Sequence, residues 1–261
     1  MAPMLKREDR ASKTPSHAPD RKLGRARVNA QYNVARPGSL PTRIASYQRR
    51  KIFDTFTGLG IAARDTILDI GATSDQSYDH SNYLAAWYPH KDCITAVGID
   101  DASHLEKLYL GLTFIRANGL ALPFEDNSFD YVHAAAVIEH VGNRSAQTHL
   151  IREAIRVARK YALITTPNRW FPVEFHTVLP LIHWLPPRLF RRLLRAIGRE
   201  FFAWEENLNL LSASDVRRMA SDIGLEFELR GVRLLGLTSN LLLIARKRSL
   251  LEAQACQARR I

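Results

Sequence analysis

The residues best suited to chemistry fall in three places along the chain. Asp69 and Gly71 close an apolar run, Thr66-Ile67-Leu68-Asp69-Ile70-Gly71, and Asp100-Asp101 close a second, Ile94-Thr95-Ala96-Val97-Gly98-Ile99. An acid at the tip of a buried strand can accept hydrogen bonds from a ribose diol, each worth roughly 1.5–3 kcal/mol. Asp100 is placed for that role, while Gly71 lets a ligand come close to the backbone. The third place carries histidines: Glu139-His140, and further on Glu174-Phe175-His176. Histidine is the side chain most easily poised as a general base near neutral pH. His140 and His176 are rival candidates for it, with Glu139 behind them, and the alternative is that Glu139-His140 only fixes a turn. A metal set of Glu174, His176 and His183 matches no established ligand spacing, so no metal site is expected.

These residues need elements to hold them. The two apolar runs read as parallel strands about thirty residues apart, with a helix at Ser81 to Tyr88 between them. In such a unit the ligand crevice lies at the carboxyl ends of the strands. Dinucleotides and S-adenosylmethionine (SAM) both use this geometry. A dinucleotide needs G-x-G-x-x-G at a helix start, but Gly71 is followed by Ala72-Thr73-Ser74-Asp75. Asp75 stands where phosphate charge would sit, so a ligand positive at that end, as a sulfonium and an amino group are, is expected. Further strands are read at Leu112 to Ala117, Tyr131 to Ala135, Tyr161 to Thr166, Glu226 to Val232 and Ser239 to Ala245. Helices are read at Thr42 to Leu59, at Gln147 to Arg159, and at Ser212 to Gly224 with an N-cap at Ser212 or Ser214.

At this point the chain resembles the class I SAM-dependent methyltransferases, of the small-molecule type similar to methyltransferase domain 11. The carriers are the Asp69-Ile70-Gly71 turn, the strand ending in Asp100, and the phrase Leu122-Pro123-Phe124-x-Asp126-x-Ser128-Phe129-Asp130 followed by Glu139-His140-Val141. The resemblance covers roughly Thr66 to Thr166. It implies SAM as cofactor, with Asp69 and Gly71 toward the methionine part and Asp100 on the ribose. By the same match Asn118 takes the place of the acid that meets the adenine amino group, and Leu120 lies against the adenine ring. Asp75, Asp101, Gly119 and Ala136 complete the expected cofactor-binding set. The implied fold is α/β: a Rossmann-like SAM-methyltransferase fold with a mostly parallel seven-stranded sheet, an antiparallel last strand and a helical insertion. The family's usual second glycine is absent after Gly71, and Arg159-Lys160 stands where it usually has Pro-Gly-Gly.

Composition sets the outer limits. The 261 residues hold 46% hydrophobic and 24% charged side chains, as in a soluble globular protein. Residues 1–41 are basic and polar and read as a disordered tail, 42–248 as the methyltransferase domain with an insertion at about 169–207, and 249–261 as a C-terminal tail. Cys93 and Cys256 suggest neither disulfide framework nor metal, which fits a reducing cytoplasm. The net charge of +11 invites a polyanion, either nucleic acid or an acidic membrane surface. Inside the insertion, Pro187 to Phe202 reads as one amphipathic helix. It sets Leu189, Leu193, Ile197 and Phe201 on one face and Arg188, Arg192, Arg195 and Arg199 on the other. Such a helix can lie on an anionic membrane or pack as a lid.

The function these readings converge on is methyl transfer from SAM to a small-molecule, sugar or lipid-linked saccharide acceptor. The location expected is cytoplasmic, with possible peripheral contact at the inner membrane surface. No Asn/Asp-Pro-Pro-Tyr follows strand four, which argues against enzymes that grip a flipped base, and the double glutamate of arginine methylation is missing. Tyr83 or Trp170 is expected near the sulfonium. The rival readings are a nucleic-acid binder on the same platform and a catalytically silent SAM-fold scaffold.

Overall fold

The computed structural model describes residues 38–76 and 81–247. Most of the expected basic tail, through residue 37, and the expected C-terminal tail lie outside the described residues. Helix α1 (Leu40–Thr57) leads to strand β1 (Ile67–Ile70), a short α2 (Tyr83–Trp87) and β2 (Ile94–Gly98). Next come α3 (His104–Leu108), β3 (Thr113–Arg116), β4 (Phe129–Ala135), α4 (Arg144–Val157) and β5 (Ala158–Pro167). The insertion holds β6 (Val173–Glu174), β7 (Leu179–Pro180) and α5 (Pro187–Ala196), and the chain closes with α6 (Ala213–Asp222), β8 (Glu226–Leu234) and β9 (Leu237–Arg246).

Seven strands form one sheet in the order β3-β2-β1-β4-β5-β9-β8. The first five pair in parallel, and β9 runs antiparallel between β5 and β8. Strand order reverses between β1 and β4, and that switch point opens a crevice at the strands' carboxyl ends. Both faces of the sheet are covered, so its central strands are apolar on both sides. Leu68, Ile70, Val132 and Leu243 face α4 and α6, packing on Leu150, Ile151, Ala154, Val216 and Met219. Ile67, Leu163 and Ile244 face the other way, toward Phe53 and Phe56 of α1 and Leu84 of α2. The alternation between neighbours such as Ile67 and Leu68 is the period-two rule of a strand. Ser212 starts α6 with a capping box: its Oγ accepts from the Asp215 N–H and its own N–H donates to the Asp215 carboxylate.

The insertion departs from the expected single helix. The α5 helix ends at Ala196, and Gly198, at φ +72°, turns the chain away before a 3-10 turn at Glu200–Ala203. Its buried face is also different. Phe190 and Leu194 pack with Phe202, Ala203, Leu208 and Leu210 in a small core of their own. Leu189 and Ile197, which the periodicity sets on the apolar face, remain about half exposed. Two apolar stripes adjoin on this helix, and the fold buries only one.

Candidate functional site

A cleft of about 830 Å³ lies at the switch point, a size suited to a small ligand. Its walls come from Gly71 to Thr73 after β1, Gly98 and Ile99 after β2, Ala117 to Leu120 after β3, and Ala135 to Val137 after β4. Helix α1 covers it with Thr42, Ala45, Gln48, Arg49 and Ile52. Gly71 is required where it stands. Its φ is +99°, and a Cβ there would lie 2.2 Å from Val137 Cγ2. The turn is anchored by the Gly71 and Ala72 N–H groups, which donate to the Val97 carbonyl at 2.8 and 2.9 Å. Across the cleft Ala136 also adopts a left-handed conformation, φ +55°, which costs an L-residue about 1–2 kcal/mol. It bends the chain sharply from β4 into the 3-10 turn that carries Glu139 and His140.

The expected cofactor residues divide into two groups. Gly71, Asn118, Gly119, Leu120 and Ala136 line the cleft. Asn118 does so with its side chain already used, because Oδ1 accepts from the Leu120 N–H at 2.9 Å and holds the turn. Asp69, Asp75, Asp100 and Asp101 are not among the lining residues. Asp100 follows the lining Ile99 at the rim. The Asp101 carboxylate points into its own turn and accepts from the Ser103 N–H at 2.9 Å, a bond that holds it below the ordinary carboxylate range. Asp75 is buried beside Thr73, whose hydroxyl accepts from the Asp75 N–H. Asp69 turns into the sheet: its Oδ1 accepts from His133 Nδ1–H at 2.7 Å, and His133 Nε2 accepts from the Tyr83 hydroxyl at 2.8 Å. Burial, with Asp69 nearby, pushes the Tyr83 phenol well up. Tyr83 lines the cleft, whereas Trp170 is 55% exposed outside it.

The histidine candidates meet. His140 and His176 approach through their Nε2 atoms at 3.1 Å, rings edge to face, and both line the cleft. The 3-10 turn after β4 supplies His140, and the β6–β7 hairpin of the insertion brings His176 back over it. His140 Nδ1–H donates to the Asn207 carbonyl at 2.6 Å, and His176 Nδ1–H donates to Glu174 Oε1 at 2.7 Å. Glu174 is further held by the N–H and hydroxyl of Thr177, both at 2.6 Å. Behind the imidazoles lies Glu139, fully buried, with Oε2 accepting from the Thr166 hydroxyl at 3.0 Å. Its Oε1 has no hydrogen-bond partner among the described residues and sits 3.9 Å from each Nε2.

The electrostatics follow from burial and from these contacts. Burial pushes the Glu139 carboxyl up to about 7, against the pull of His176. His140 is pushed down to about 3 by burial and then by His176. Burial also opposes charge on Glu174 and His176, but their mutual bond wins: the carboxyl falls to about 2 and the imidazole rises above its ordinary value. The pair therefore shares one proton, carried by His176. His183 stands apart, with Nε2 bonded to the Phe171 carbonyl at 2.7 Å, so Glu174, His176 and His183 do not form one ligand set.

Sequence reasoning did not single out His133, Asn207 or Asn209. Asn209 pins the insertion to this corner, its N–H donating to the Glu139 carbonyl at 2.7 Å and Nδ2 to the Gly142 carbonyl at 2.8 Å. A signal for His133 was present: an imidazole between Val132 and Ala134 in a central strand must find partners.

Residues 80–165 match a family model described as a methyltransferase domain. The YcgJ protein of Bacillus subtilis shares the fold at 15% identity and TM-score 0.53, over 77% of this chain and 99% of that one. A magnesium protoporphyrin IX methyltransferase from Synechocystis, solved with bound SAH, aligns at 14% identity and TM-score 0.51, over 80% and 86%. A SAM dependent methyltransferase from Aquifex aeolicus aligns at 15% identity and TM-score 0.50, over 79% and 97%. No curated protein matches the sequence significantly.

Proposed function

The chain is a class I SAM-dependent methyltransferase in family match and in fold, and from that premise we propose that it methylates a hydroxyl of a small saccharide acceptor carried on a lipid at an anionic membrane surface. The observation that carries the hydroxyl is the buried His140–His176–Glu139 cluster at one end of the cofactor cleft. Methyl transfer to a neutral amine or a thiolate needs no such group, whereas an alcohol must lose its proton as it attacks.

In this reading Asp100, beyond Ile99, would hold the ribose of SAM, Asn118–Leu120 its adenine, and the Gly71 turn its amino acid end. The acceptor oxygen attacks the methyl carbon in line with the C–S bond. Oxygen–carbon bond formation accompanies carbon–sulfur cleavage, the sulfur keeps the electron pair, and neutral S-adenosylhomocysteine leaves. The hydroxyl's proton passes by way of the imidazoles to Glu139, whose carboxyl burial pushes up to about 7. Enclosure by α1 and by the insertion serves chiefly alignment and exclusion of water.

The lipid carrier rests on the insertion. Trp170, Leu181, Trp184, Leu189, Ile197 and Trp204 are all more than 40% exposed there, beside the exposed Arg188, Arg192 and Arg195. Arg169 lies over Trp170 and Arg195 over Trp204. Exposed tryptophans among arginines suit an anionic bilayer interface, and no helix among the described residues is long and apolar enough to cross a membrane.

Two measurements test the two parts. Calorimetry with S-adenosylhomocysteine should show micromolar binding that Asp100→Ala abolishes; no heat from the wild-type chain would remove the enzyme reading. Flotation with phosphatidylglycerol vesicles should carry the protein upward, and Arg192→Glu with Arg195→Glu should leave it at the bottom. Equal flotation of both would remove the membrane.

A further inference from the structure

We propose that Glu139 Oε1, His140 Nε2 and His176 Nε2 form a binding site for a divalent first-row transition-metal ion, Zn²⁺ foremost, at the acceptor end of the cleft. The inference deepens the reading above and rests on it for the identity of that end; the geometry of the site stands by itself.

The three atoms form a triangle with sides of 3.1, 3.9 and 3.9 Å. A single point lies about 2.1 Å from all three corners, within the roughly 2.0–2.2 Å at which zinc meets imidazole nitrogen and carboxylate oxygen. The three residues already group as candidate ligands of one ion. Each is also aimed inward by a contact on its far side. His140 and His176 spend their Nδ1–H groups on the Asn207 carbonyl and the Glu174 carboxylate, which turns both Nε2 atoms toward the common centre. Glu139 spends Oε2 on Thr166 and presents Oε1, buried and without a hydrogen bond among the described residues. An imidazole that donates its other N–H to a carboxylate or a backbone carbonyl is the outer shell of a metal ligand.

Charge points the same way. Two carboxylates, Glu139 and Glu174, are buried within one small cluster, 0% and 3% exposed. One divalent cation, taking the place of the proton that His176 carries, balances both. Two nitrogens and one oxygen favour zinc, iron or cobalt over magnesium or calcium, which take oxygen sets. Because both imidazoles line the cleft while Glu139 does not, the ion's open side faces the bound acceptor. The acceptor class is then one that offers its reacting hydroxyl directly to a cation. With the ion bound, its ligand atoms no longer take the proton: coordination lowers the pKa of the acceptor oxygen, the proton goes to water instead of to the cluster, and the bond changes at carbon and sulfur stay as described.

The test uses the full chain, freed of metal with a chelator that is then removed. Titration with Co²⁺ should develop the visible absorption of a nitrogen- and oxygen-ligated ion and saturate at one ion per chain. Zn²⁺ should displace it. His176→Ala should weaken Zn²⁺ by at least about 100-fold, and Glu174→Gln, which loosens only the outer shell, by about 10- to 100-fold. Should His176→Ala fail to fold by circular dichroism, Glu139→Gln, of the same shape, decides the question by losing Co²⁺ uptake. Wild-type protein that shows no saturable uptake, or a Glu139→Gln protein that takes up the ion undiminished, overturns the site. S-adenosylhomocysteine titrated into the metal-free protein separates the layers: binding there with no metal uptake ends this inference alone, and its absence ends the methyltransferase reading beneath it.

Discussion

Two assemblies of histidine and carboxylate are built around the same central strand, β4, and they are built to opposite ends. In the first, Asp69, His133 and Tyr83 form a chain in which each polar atom that faces inward has its partner at 2.7 or 2.8 Å. Phe56 and Tyr83 pack against the His133 ring at centroid distances of 5.0 and 5.4 Å. In the second, Glu139, His140, His176 and Glu174 are held as firmly from behind, yet Glu139 keeps one buried oxygen unsatisfied and the two imidazoles confront each other. A saturated buried network stabilises one conformation. An unsaturated one costs stability, and such groups concentrate where a ligand or a proton is to be received. The difference separates a brace from a site, although both contain the same kinds of side chain.

The sharpest way to break that distinction is Glu139→Gln. The amide fills the same volume, removes the buried charge and can donate toward the imidazoles, so folding should be unaffected or slightly favoured. Methyl transfer should fall by about 10²- to 10⁴-fold, the range for a positioned acid–base group. Steady-state kinetics beside urea denaturation gives both numbers. A variant that unfolds earlier and still turns over would make Glu139 a brace like Asp69.

Asp69→Ala is the converse. It strips the His133 N–H of its acceptor inside a buried strand and should cost about 1–3 kcal/mol of stability, read as an earlier urea midpoint with an unchanged slope. Affinity for S-adenosylhomocysteine should change little. The resemblance to the methyltransferase family assigned Asp69 to the cofactor, so a large loss of affinity at unchanged stability would restore that assignment and dissolve the contrast.

The legibility of these two assemblies in the sequence was unequal for physical reasons. Strands β1 and β2 are short apolar runs ended at a glycine, and β5 ends at Pro167; that punctuation is local, so their positions were readable within a few residues. The cluster is not local. His140 and His176 stand 36 residues apart, and only the fold-back of the β6–β7 hairpin brings them into contact. Each was recognisable as a base candidate by type; that both face one buried glutamate, Glu139, was not. Helix α5 failed in another way. Leu189-Phe190 and Leu193-Leu194 place two apolar stripes side by side, and periodicity cannot choose which stripe meets Phe202 and Leu210. The stop at Gly198 was written in the sequence, but Phe201-Phe202 prolonged the apolar pattern past it.

A third polar assembly, at the opposite end of the sheet, sharpens the rule with the smallest effect. Asp130 Oδ2 accepts from the N–H and hydroxyl of Thr66 at 3.0 and 3.1 Å, and Oδ1 accepts from Arg159 at 3.0 Å with Lys160 3.5 Å away. Burial opposes the charge, but these bonds outweigh it and hold the carboxyl below its ordinary range. A carboxyl whose folded pKa is depressed contributes stability above its unfolded value, near 3.9, and loses that contribution as pH falls through the folded value. Arg159 and Lys160 are largely in water, so screening leaves most of the effect to Thr66. Asp130→Asn should therefore lower stability by about 1 kcal/mol at neutral pH, with the gap closing below pH ~4. Methyl transfer should be unchanged, because this carboxylate is saturated and lies away from the cleft. A gap that stayed constant into acid would show that Asp130 acts through its shape, and saturation would then no longer distinguish the charged braces from the site.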